Sequence, residues 1–158
     1  MNSIVEEQFK LLDETLALRE QLFDMLSDSD LGYFPGGGNP TLGLLLRSMG
    51  VMQASYTNSF KTFRLTASQQ DTLPSVEASV NRLRGWFATL DADLRDTLED
   101  LSEDDIQSRT IDRDGWQVPV TVQLHMFREG LLIFYGKASV YLKALGKTYT
   151  KQWKDWIA

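Results

Sequence analysis

Asn39-Pro40-Thr41-Leu42-Gly43-Leu44-Leu45-Leu46-Arg47-Ser48-Met49-Gly50 follows directly on a run of three glycines, Gly36 to Gly38. Asn can cap the free amides of a helix and Pro is harmless at the first helical position, so a helix is expected to start at Asn39-Pro40-Thr41. Leu42, Leu45, Leu46, Met49, Met52, Tyr56, Phe60 and Phe63 then return at three- and four-residue steps. That spacing puts them on one side of a long helix, which fades in the polar stretch Thr66 to Thr72.

Upstream, Val5, Phe9, Leu12, Leu16, Phe23 and Leu26 form a similar stripe, widened by Leu11, Leu18, Leu22 and Met25 and interrupted by Arg19. This first helix is expected to stop before Ser27 to Gly38, where Leu31, Tyr33 and Phe34 are the only anchors. Downstream, a third helix is expected to begin near Pro74, with Val76, Val80, Leu83, Phe87, Leu90, Leu94 and Leu101 in heptad register. The acidic residues Glu99, Asp100, Glu103, Asp104 and Asp105 are unfavourable beside the negative end of a helix dipole and mark an exit loop. Ser108 to Val120 carries β-branched residues either side of Asp114-Gly115, the pattern of a short β-hairpin. A fourth helix follows with Val120, Leu124, Phe127, Leu131, Phe134, Ala138, Tyr141 and Leu145 in register and Gly146 as its cap. Tyr149, Trp153, Trp156 and Ile157 then read as a short aromatic tail helix packed back on the bundle. The 158 residues are expected to form one domain, 1–158, an all-α four-helix bundle with a hairpin crossover between helices 3 and 4 and a short C-terminal helix.

Composition narrows the function. The chain has 16 Lys+Arg against 22 Asp+Glu, a formal charge of −6, which opposes nucleic-acid binding because neutralising phosphates needs a concentrated basic face. With no Cys there is no disulfide, thiolate zinc site or cysteine nucleophile. No apolar run approaches the roughly 20 residues of a membrane span, so a cytoplasmic protein is expected. A hydrophobic share of 42% is enough to build a core and argues against disorder.

Few residues suggest chemistry. The glycine run lacks the strand before it and the Lys-Ser/Thr after it that a phosphate loop needs, and reads as a connection. Asp112-Arg113-Asp114-Gly115 reads as a hairpin turn, since aligning Gly115 with the glycine of a calcium loop puts Thr121 where the bidentate Glu belongs. His125 is the sole imidazole, with Glu129 one turn later; both lie off the apolar stripe and are the weak acid–base candidates. If a pocket lies at the helix seam, Arg47, Ser48, Tyr135 and Tyr141 are its expected polar lining.

The segments Asn39 to Gly50, Phe134-Tyr135-Gly136-Lys137 and Tyr141 to Gly146 resemble the second and fourth helices of the DinB/YfiT-like family of helical bundles. The resemblance implies an up-down-down-up bundle, often a homodimer, whose metal-binding members hold a divalent ion with three His. Some relatives are hydrolase-like and others are transferases acting with low-molecular-weight thiols. In this chain the three ligand positions fall at Ser48, Gly130 and Phe134, and the family Gln falls at Lys137. Gly and Phe offer no ligand atom, and a neutral hydroxyl is a poor ligand for a transition metal. The expectation is therefore a member without metal or other cofactor, acting as a small-molecule-binding or protein-interaction module. The alternative is a zinc- or nickel-dependent hydrolase or thiol-dependent transferase with a relocated site at His125, Glu129 and a carboxylate from elsewhere in the chain.

Overall fold

Four long helices bury the sides that their apolar spacing marks out. In a computed structural model, which describes residues 1–67 and 74–158, these are α1 (Ser3–Asp24), α2 (Leu42–Thr62), α3 (Val80–Glu99) and α5 (Val120–Ala144). The short helices α4 (Glu103–Ser108) and α6 (Lys151–Trp156) and the antiparallel strands β1 (Thr110–Asp112) and β2 (Gln117–Pro119) complete the order. α1 and α2 each pack on α3 and α5, so consecutive helices α1 and α2 stand diagonally across the bundle.

Side-chain ties between helix ends fix the directions. Asn2, at the start of α1, donates to Leu98 O (2.8 Å) and Leu101 O (2.9 Å) at the end of α3, so α1 and α3 are antiparallel. Arg47 pairs with Glu77 (3.1 Å) near one end and Lys61 with Asp93 (2.6 Å) near the other, so α2 and α3 are parallel. Tyr141 Oη reaches Pro40 O (2.7 Å) and Gln123 reaches Ser59 (2.9 Å), which makes α5 antiparallel to α2. The bundle is up-down-down-up.

Several boundaries differ from the sequence reading. α2 is capped by Thr41, whose hydroxyl accepts from Leu44 N, while the Asn39 amide turns back to Gly36 O (2.8 Å). α3 starts at Val80 with Ser79 as its cap; Val76 belongs to a separate 3-10 turn, Val76–Ala78, because Ser75 at φ 58 turns the chain first. The fade of the second helix into Thr66 to Thr72 lies partly outside the described residues. Glu103, Asp104 and Asp105 do not form a loop. They are the first turn of α4, where the dipole favours them, and Ser102 and Asp105 form a capping box.

Arg19 corrects the reading of α1 most. It does not break the stripe but is fully buried within it. The hairpin is present, with Ile111 opposite Val118 and Asp114 and Gly115 at positive φ in the turn. Phe34 is 51% exposed rather than an anchor, whereas Leu31 is buried.

The C-terminal helix holds on through one residue. Trp153 is fully buried, its ring stacks on Tyr149 (6.1 Å between centroids), and its Nε1 donates to Leu18 O at 2.8 Å. Trp156 is 42% exposed and takes no such part.

The long α1–α2 connection is pinned by Asp30 in the 3-10 turn Asp28–Gly32, which pairs with Lys147 (2.6 Å) and accepts from Ser27 N (2.8 Å). Burial alone would raise the Asp30 pKa, but Lys147 and Ser27 outweigh it and hold the carboxyl below its usual range. A depressed folded pKa stabilises the protein above the unfolded value of about 3.9, and this contribution is lost as pH falls through the folded value. We expect wild type to lose more stability than Asp30→Asn as pH falls from about 5 to about 2, read by urea unfolding at each pH. Parallel losses in the two proteins would show that Asp30 does not carry this dependence.

Candidate functional site

A cavity of about 470 Å³ opens where the α1–α2 connection crosses the seam between α2 and α5. The connection contributes Pro35, Asn39 and Pro40, α2 contributes Leu45 and Ser48, and α5 contributes Phe134, Lys137, Val140 and Tyr141. The size is ordinary for a small-molecule site, as is a mostly apolar wall with a few polar groups.

Its walls are held in place by local chemistry. Gly36 (φ 94) and Gly37 (φ 62) adopt left-handed backbone that other residues resist, which lets the chain double back over the cavity. Tyr141 clamps that loop by donating to Pro40 O, and its ring meets Tyr33 edge-on at 6.1 Å. Burial, with a smaller contribution from Tyr33, raises the Tyr141 phenol pKa, so it stays a neutral donor. Lys137 is exposed at the rim, with Nζ 5.4 Å from the Phe134 ring centroid.

The four side chains expected to line a pocket separate into two pairs. Ser48 and Tyr141 line the cavity. Arg47 lies one position round the helix and turns to Glu77. Tyr135 is buried on the opposite side of α5, where its hydroxyl donates to Thr15 O (3.0 Å) and burial raises its pKa far above the ordinary value. Neighbouring helical positions diverge by about 100°, so a shoulder residue on the stripe can face either way.

His125 and Glu129 are both exposed on α5, away from this cavity. Among the described residues no group of three His, Cys, Asp or Glu side chains is placed to hold a metal ion. Ser48 and Phe134 face the cavity, while a Cβ added at Gly130 would lie 2.7 Å from Met52 Sδ. The donor set at these three positions does not suit a transition metal: it offers one hydroxyl, and the space beside Gly130 is filled by a thioether.

Two buried polar networks escaped the sequence reading. In the first, Arg19 forms an ion pair with Asp91 and donates to Gln53 Oε1 (3.0 Å), Gln53 donates to Asp91 Oδ1 (2.7 Å), and the guanidinium lies 4.2 Å over the Phe87 ring. In the second, Arg113 on the hairpin donates to Gln123 (2.7 Å), which donates to Ser59 (2.9 Å). The available signal was positional: Arg19 and Gln53 sit in step with apolar neighbours on their own helices, where a polar residue must be either exposed or paired.

A second cavity, about 460 Å³, lies between the end of α2, α3 and α4. Its cations are already engaged, Lys61 with Asp93 and Arg109 with Asp105 (3.6 Å) and the Phe63 ring. It offers a ligand less than the first.

These elements define an up-down-down-up four-helix bundle with a cavity at the seam between α2 and α5. Residues 11–129 match the family model of the DinB superfamily, and the chain belongs to that superfamily. It is similar in fold to the DinB-like protein YjoA of Bacillus subtilis, with 20% identity, a TM-score of 0.68, and 89% of this chain and 94% of that one covered. A DinB-like protein of Bacillus cereus is similar at 18% identity and a TM-score of 0.67, over 87% of this chain and 89% of that one. No curated protein matches the sequence. Among the described residues no helix is long and apolar enough to cross a membrane.

Proposed function

We propose that this DinB-superfamily chain is a binding module for a small organic molecule, held in the cavity between α2 and α5, and not a metal-dependent catalyst. The observation that carries the reading is the cavity wall itself. Ser48 and Phe134, at two of the positions where the family resemblance puts metal ligands, line an open apolar space, and Met52 occupies the space beside the third, Gly130. Such a wall suits burial of an apolar ligand body better than coordination of a cation. On this reading the protein works in the cytoplasm without nucleic acid, its charge of −6 opposing phosphate.

A homodimer belongs to the same proposal. The family resemblance, in which the bundle is often a homodimer, is what supports it.

The test combines elemental analysis of untagged protein, thermal shift with zinc, nickel, manganese and EDTA, and light scattering. We expect no stoichiometric metal, a Tm moved by none of these additions, and a particle of two 18.0 kDa chains. One metal per chain with a Tm lowered by EDTA would overturn the reading. It would transfer attention to a relocated site at His125 and Glu129, as in a hydrolase or thiol-dependent transferase. A single-chain mass at all concentrations would remove the dimer and leave the pocket standing.

A further inference from the structure

The charge around the α2–α5 cavity is the reverse of the charge on the chain. The protein has six more acidic than basic residues, yet none of the residues lining this cavity is Asp or Glu, and one, Lys137, is a cation. The ion pairs formed among the described residues do not include Lys137. Its Nζ lies 5.4 Å from the centroid of the Phe134 ring, which lays the ammonium along the aromatic wall and leaves its N–H donors to solvent or a ligand. Behind the rim the surface turns apolar, through Pro40, Leu45, Phe134 and the ring of Tyr141. Ser48 adds a neutral hydroxyl that can accept or donate.

From this we infer that the cavity takes a small organic anion with an apolar body, a carboxylate carried on an aryl or alkyl frame. The carboxylate meets Lys137 Nζ at the rim and the frame lies against Phe134 and Leu45. The inference rests on the proposed binding role and adds the ligand's charge to it. An anion gains because no like charge lies in the wall, whereas a cationic ligand would face Lys137 with nothing to oppose it. The rim position is open to water, so the charge contributes what a surface ion pair contributes, and salt weakens it.

The probes are 4-phenylbutyrate and 4-phenyl-1-butanol, matched in frame and differing in charge, titrated into the full chain with affinity read by NMR. We expect the carboxylate to bind about fivefold more tightly than the alcohol at low salt, the advantage shrinking at high salt. Lys137→Gln, on an exposed helical position, removes the advantage and leaves the alcohol's affinity unchanged. Ser48→Phe fills the cavity and abolishes both. An alcohol that binds as well as the carboxylate, or a Lys137→Gln protein that keeps the preference, overturns the anion inference while the pocket stands. If neither compound binds, the proposed function fails with it. If Ser48→Phe leaves the carboxylate's binding intact, that binding lies elsewhere and the inference is wrong.

Discussion

Asp91→Ala is expected to destabilise the bundle by about 3 kcal/mol, and adding Arg19→Met to it is expected to restore part of the loss. Arg19 is fully buried, and Asp91 is the one acid with which it forms an ion pair among the described residues. Its Nε has no hydrogen-bond partner among the described residues, so the group has little reserve. Without Asp91 an unpaired guanidinium is left in the core, with only Gln53 Oε1 and the Phe87 face for company. The reverse change is milder, because the Asp91 side chain is 28% exposed and water can reach the stranded carboxylate. Met nearly fills the Arg stem's volume and carries no charge to desolvate. Urea unfolding of the two single variants and the double variant measures this directly. The pair is not coupled in this way if the double variant is less stable than Asp91→Ala alone.

Gly43→Ala is expected to cost about 2–3 kcal/mol, although alanine favours helices by about 1 kcal/mol over glycine. A Cβ at Gly43 would lie 2.1 Å from the Glu77 carbonyl oxygen and 3.2 Å from that of Leu31. Both are backbone atoms in the 3-10 turns that grip the first turn of α2, so relief requires moving chain and not merely a side chain. Gly136 in α5 supplies the control. Nothing lies within 4 Å of a Cβ there, and Gly136→Ala should raise stability by up to about 1 kcal/mol. Thermal unfolding of both variants should therefore move Tm in opposite directions. Gly43→Ala stabilising the protein would mean that the turns yield easily and that this close approach is not needed.

The two predictions share a cause that also separates what could be read in the chain from what could not. The long helices were legible because their apolar residues repeat at helical spacing, and burial follows repetition along one side. The hairpin was legible in Asp114-Gly115, since few residues tolerate the left-handed backbone such a turn needs. Local signals failed where two turns competed. Asn39-Pro40 could cap a helix, but its amide closes the glycine turn, and Thr41 caps instead. The acidic run after α3 was unfavourable as a helix end and favourable as the start of α4, and only the chain's course after Leu101 distinguishes the two.

The candidate site was half legible for the same reason. Ser48 and Tyr141 face the cavity, while Arg47 and Tyr135 turn elsewhere, although all four lie on the shoulders of their helices. By itself the sequence determined the helical class, the order of the elements, the charge and the lack of Cys, all properties of composition and of spacing along one segment. Tertiary structure alone decided that Arg19 is buried against Asp91, that the backbone of Glu77 and Leu31 closes on Gly43, and that Lys137, at the rim of a mostly apolar cavity, forms no ion pair among the described residues. Each of these depends on residues tens of positions apart, brought together by packing and not by any pattern within a helix.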